Sequence, residues 1–138
     1  MNEILFSLLL WIGENTQYDI FLNQPNISQV EPVNMCRQYS KGNNQQCNPE
    51  QLVGFYNKSN TIYLGLDFKT DTLNQKSQLL HELVHYVQWQ NMYSNEPYCL
   101  GQKEVEAYRL QNLWRKQNNL KPVSDEFTLL MLEASCES

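Results

Sequence analysis

The sequence has no run or stripe of basic residues. Its ten lysines and arginines are scattered among fifteen acids, for a formal net charge of -5. The electrostatic footprint of a nucleic-acid binder is therefore missing, and nucleic acid is not an expected partner. Long hydrophobic runs are lacking too. The opening MNEILFSLLLWI is too short to span a bilayer, carries Glu3 and no Lys or Arg, and is followed by no small-residue cleavage site. It is expected to be an amphipathic or buried first helix, with no transmembrane segment, and an exported protein would have had its signal removed ahead of this Met1. Internal repeats and low-complexity tracts are absent, and histidine is scarce, with two in the chain.

Cysteine is present but never as CxxC. Cys36, Cys47, Cys99 and Cys136 stand apart, which argues against a cysteine zinc site or a thioredoxin-like redox motif. Two disulfides are the favoured reading. Three connectivities are possible, and Cys36 with Cys47 and Cys99 with Cys136 is the preferred one; the first loop would stabilise by about 3 kcal/mol if unstrained. Such bridges imply an oxidising compartment, a periplasm or the cell exterior. The competing reading is four buried free thiols in a cytosolic protein.

At 138 residues the chain fits a single domain, 1–138, and one site is sought in it. A helix is expected from residue 4 to about 18, fraying at Gly13-Glu14-Asn15. Residues 20–50, rich in Pro, Asn and Gln, read as loop with short extended pieces such as Ile27 to Val30. LVGFYNKSNTIYLGLDF (52–68) reads as a hairpin turning at Asn57-Lys58-Ser59-Asn60. Thr72 and Gln75 fit a capping box, after which Leu79, Leu80, Leu83, Val84 and Val87 recur at helical spacing to about Gln90. Gly101 opens a helical pattern over 102–118, with Ala107, Leu110, Leu113 and Trp114 inward and Gln111, Arg115 and Lys116 outward. Ser124 is placed as the cap of a last helix running through Phe127, Leu130, Met131 and Ala134. The fold class is α+β: an N-terminal helix, a short twisted sheet and three further helices.

Both histidines fall in LLHELVHYVQ (79–88). Four residues apart on a helix, His81 and His85 share a face and can point at one metal ion, while Glu82, one step round, is placed to take a proton from water attacking a carbonyl. The bland alternative is an ordinary core helix with two satisfied histidines. A catalytic zinc takes three protein ligands and leaves a position open. With no third histidine, a carboxylate must serve, and KEVEAYRLQ (103–111) offers Glu104 and Glu106. Periodicity favours Glu106, on the stripe of Leu110 and Leu113, because a carboxylate on a core stripe is costly unless paired or metal-bound. Glu104, sharing a stripe with Tyr108, Gln111 and Arg115, reads as a solvated surface residue.

HELVH at 81–85 followed by EVEAYRLQ at 104–111 resembles the gluzincin metallopeptidases, and the size resembles the minimal members of that family. The resemblance implies a small zincin-like domain with an HExxH active-site helix, a glutamate helix and a C-terminal helix. It further implies a Zn2+ cofactor held by His81, His85 and Glu106, with Glu82 as general base, and hydrolysis of a peptide or protein substrate by a monomer. In that family a sheet strand by the cleft pairs with extended substrate, which here would come from 53–56 or 61–64. Two features depart from the pattern. Tyr108 and Arg109 stand where an acidic residue often buttresses a histidine, and no later histidine is left for the oxyanion, a part for which Tyr86, Tyr93, Tyr98 and Arg109 are the remaining candidates. The alternative function is a non-catalytic zinc-site or peptide-binding module on the same fold.

Overall fold

The computed structural model describes residues 2–20, 25–31, 54–57, 61–66, 68–92 and 99–136. In chain order the elements are α1 (Asn2–Asn15), β1 (Asn26–Val30), β2 (Gly54–Asn57), β3 (Thr61–Gly65), α2 (Leu73–Gln90), α3 (Leu100–Gln117) and α4 (Glu126–Ala134). This is the α+β order the sequence predicts. The expected Cys36–Cys47 bridge and the hairpin turn at 58–60 lie outside the described residues.

β3 is the middle strand of a three-stranded sheet, parallel to β1 and antiparallel to β2. Its alternation decides which face is covered: Ile62 and Leu64 are fully buried while Thr61, Tyr63 and Gly65 are half-buried, the period-2 pattern of a strand with one face on the core. Against that face lies α2, through the apolar side of its surface. Leu79, Leu80, Leu83, Val84 and Val87 are all buried, each worth about 1.5–3 kcal/mol relative to exposure. Leu5, Leu8, Leu9 and Ile12 of α1 and Ala107, Leu110 and Trp114 of α3 complete the core around them. The site helix is therefore the central member of the fold, held on several sides.

Capping fixes where the helices begin and end. Thr72 Oγ1 accepts the Gln75 N–H at 3.1 Å, as a capping residue should. The reciprocal half differs from expectation, because Gln75 Oε1 receives the Thr72 hydroxyl proton. α3 closes through Asn119, at φ 62, with Leu120 N–H bonded to Arg115 C=O and Asn119 N–H to Lys116 C=O; this is a Schellman end with asparagine in the left-handed position. The cap of α4 is Asp125, whose carboxylate accepts the Thr128 N–H at 2.8 Å. Ser124, the residue expected there, instead uses its carbonyl to accept from Asn112.

Cys99 and Cys136 form the expected disulfide, joining the start of α3 to the end of α4. Gly101 lies beneath it. A Cβ at 101 would run into Leu132 C=O and come within 2.7 Å of Ser135 Oγ, so glycine is what lets the two helix ends meet. The apolar face of α4 is largely uncovered. Leu129 is its one buried residue, whereas Phe127, Leu130 and Met131 are exposed. No helix among the described residues is long and apolar enough to cross a membrane.

Candidate metal centre

α2 and α3 face each other along two polar stripes. On α2 the stripe runs Asn74, Ser77, His81, His85, Gln88, in steps of three and four; on α3 it runs Glu104, Tyr108, Gln111, Arg115 with the same period. The helices are paired end to end in opposite senses. Arg115 Nη1 donates to Asn74 Oδ1 at 2.6 Å and to Ser77 Oγ at 2.8 Å. Gln111 Nε2 donates to Ser77 Oγ, and Gln111 Oε1 accepts from His81 Nδ1 at 3.0 Å. Tyr108 tilts against the His81 ring at 4.6 Å between centroids. Gln111 and Arg115, expected outward, are thus buried at 4% and 8% exposure, while Leu113, expected inward, is 38% exposed. Burial of this stripe costs little because each of these polar groups finds a partner on the opposite helix.

At the next step along the pair the histidines meet a carboxylate. His81 Nε2 and His85 Nε2 lie 3.2 Å apart, Glu104 Oε1 is 3.2 Å from His81 Nε2, and it contacts His85 Nε2 as well. These three are the set of metal-type donors that converges among the described residues, with ligand atoms all within 4.8 Å of one another. Glu106, the ligand expected from periodicity, is elsewhere. It lies about 200° round the helix from Glu104, where its Oε1 accepts from Tyr18 Oη at 2.5 Å and from Gln88 Nε2 at 2.7 Å. The Glu106 carboxylate is partnered, by a hydroxyl and an amide.

The donor set fits zinc in chemistry, and the 3.2 Å from His81 Nε2 to each of the other two donors fits it in spacing. Two imidazole nitrogens and a carboxylate oxygen are ordinary zinc ligands, and a tetrahedral ion about 2.0–2.1 Å from each would set them about 3.4 Å apart. Each ring also sets its Nδ1 within hydrogen-bond distance of an amide oxygen, His81 against Gln111 and His85 against Gln88 at 2.9 Å, the kind of outer contact that orients a ligating imidazole. Glu82, on the same turn, is half-buried and its charge acts on His85. Of the oxyanion candidates, Arg109 is committed to Glu126 and Glu133 on the α4 side, Tyr86 is buried, and Tyr93 and Tyr98 lie outside the described residues. A cleft of about 740 Å³ between the end of α1, α3 and α4 contains Tyr18, Glu106 and Arg109 but neither histidine.

Charges in the cluster are mutually adapted. Burial alone would lower the His85 pKa, yet the Glu104 hydrogen bond and the charges of Glu82 and Glu104 hold it above its ordinary value. Burial would likewise raise that of Glu104, and hydrogen bonds from both imidazoles carry it well below the usual carboxylate range. Without metal, the raised His85 stabilises the fold below 6.5 and loses that contribution as pH rises through its folded pKa. The depressed Glu104 stabilises above 4.5 and is lost on acidification. Melting in the presence of a chelator is therefore expected to peak, relative to Glu104→Gln, between pH 4.5 and 6.5. Parallel melting profiles for the two proteins would show that the pairing stabilises nothing.

No curated protein and no solved structure matches this chain. One family model does, over residues 1–138, and its description is Domain of unknown function (DUF6647). A match over the whole chain places the protein in that family.

Proposed function

We propose that this protein is a zinc-dependent peptidase of the gluzincin type, with His81, His85 and Glu104 as the metal ligands and Glu82 as the general base. The observation that carries the proposal is the convergence of His81 Nε2, His85 Nε2 and Glu104 Oε1 from two facing helices, with Glu82 on the turn between the histidines. A zinc ion there supplies Lewis acidity, polarising a scissile carbonyl and bringing the pKa of water toward neutrality. Glu82 takes the proton of the attacking water and delivers it to the leaving amine. Its offset from His81 keeps it out of the ligand set and beside the reacting atoms.

Extended peptide is the substrate class that suits the sheet. Of the stretches 53–56 and 61–64, the second is in β3, which is already bonded on both sides. β2 is an edge strand, paired only with β3 among the described residues, and packs against α2. An extended peptide added along β2 would use backbone hydrogen bonds. The Cys99–Cys136 bridge favours a periplasmic or secreted setting.

The test is zinc content by mass spectrometry of protein purified without chelator, alongside cleavage of a peptide library. One zinc per chain, and cleavage that chelation abolishes and zinc restores, is the expected result. Absence of zinc overturns the proposal. Stoichiometric zinc with no cleavage of any peptide points to the non-catalytic zinc module.

A further inference from the structure

Gln88 and Gln111 each touch a histidine, and an amide can offer either a donor or an acceptor, so the rest of each amide's surroundings decides what the ring must do. Around Gln111 the chain of logic begins at Arg115, whose guanidinium only donates. It donates to Ser77 Oγ, and Ser77 spends its single hydroxyl proton on Asn74 C=O at 2.8 Å. What Ser77 has left for Gln111 is a lone pair. The amide NH2 therefore faces Ser77, the amide oxygen faces His81, and His81 Nδ1 must carry a proton. Around Gln88 the anchor is a backbone carbonyl. Gln88 Nε2 donates to Lys103 C=O at 3.0 Å and to Glu106 Oε1 at 2.7 Å, so its oxygen faces His85 Nδ1, which must also carry a proton.

We propose that Gln88 and Gln111 are positioning residues that lock both histidines in the Nδ1–H tautomer, with Lys103 C=O fixing the Gln88 amide and Glu106 as its second acceptor. The inference rests on the reading of His81, His85 and Glu104 as the metal site and extends it. With both Nδ1 atoms protonated, each neutral ring turns an Nε2 lone pair toward Glu104 Oε1. Three acceptors then share one point, an arrangement that calls for a cation. Neutral imidazole in water prefers the opposite tautomer, so the amides hold the rings in their less common form before metal arrives. An amide oxygen does this without adding negative charge beyond Glu104 and Glu82, which leaves a bound ion more electrophilic than carboxylate partners would. Glu106 also ties Tyr18, on the segment after α1, to the same relay.

Tautomers are read directly by long-range 1H–15N NMR of histidine-labelled protein, since the chain has two histidines. In chelator-treated wild type, at alkaline pH where imidazole is neutral, both rings are expected to be protonated at Nδ1. Zinc affinity, from competition with a chromophoric chelator, is expected to fall about 10–100-fold in Gln88→Met and in Gln111→Met. It should stay within a few-fold of wild type in Gln111→Glu, which keeps an acceptor for His81. Rings protonated at Nε2 in the metal-free wild type, or wild-type affinity in Gln111→Met, would overturn the inference. Should Gln88→Met fail to fold, the wild-type spectrum and the two Gln111 variants still decide it. A wild type that binds no zinc but shows both rings protonated at Nδ1 would sink the metal reading alone and leave the amide lock standing.

Discussion

Glu104→Ala is expected to lose zinc while Glu106→Ala keeps it. Glu104 places its oxygen against both Nε2 atoms, and removing it leaves two imidazoles where a catalytic zinc needs three protein ligands. Affinity should fall by more than about 100-fold, beyond the 10–100-fold typical of outer-sphere partners, so that protein isolated without added metal carries almost none. Glu106→Ala removes an acceptor from Gln88 and Tyr18 but no ligand. Gln88 keeps its bond to Lys103 C=O, so the amide still faces His85, and zinc should remain near one per chain with affinity reduced about tenfold or less. Metal analysis of the two variants side by side decides between the carboxylates. Retention of stoichiometric zinc by Glu104→Ala, with loss in Glu106→Ala, would reverse the assignment.

The reason the sequence points to Glu106, where the structure brings Glu104 to the histidines, is physical and local to α3. Hydrophobic periodicity assumes that a helix has one buried stripe and that polar positions face water. α3 has two buried stripes. One, through Ala107, Leu110 and Trp114, is apolar and was legible; the other, through Glu104, Gln111 and Arg115, is polar and is covered because α2 presents a polar stripe of its own. That second stripe was present in the sequence as Asn74, Ser77, His81, His85 and Gln88, all at helical spacing around the motif. Matching it to the polar stripe of α3 would have selected Glu104 as the carboxylate on the face that meets the histidines. The strands, the α2 boundaries and the Cys99–Cys136 bridge were readable because each depends on local pattern or on pairing within a short list of cysteines. The exposure of Phe127, Leu130 and Met131 was not, because amphipathic spacing marks an apolar face without saying whether anything covers it.

Glu82→Gln is expected to keep zinc and lose hydrolysis. Glutamine matches glutamate in size and preserves the helix, and Glu82 is outside the converging ligand set, so metal content should stay at one per chain. What disappears is the acceptor for the proton of water, worth about 10²–10⁴ in rate when a general base is removed. A structural defect would lower metal content or melting temperature together with rate; loss of a base lowers kcat and spares both. The charge of Glu82 also helps raise the His85 pKa, so the neutral variant should show a lower His85 titration in the metal-free protein even though the ligands are unchanged. That shift, read from the histidine NMR signals, would confirm that the substitution acts where intended. Wild-type turnover in a Glu82→Gln protein carrying that shift and a full complement of zinc would mean that the proton goes to another group, and the mechanism built on the HELVH turn would fall while the metal site remained.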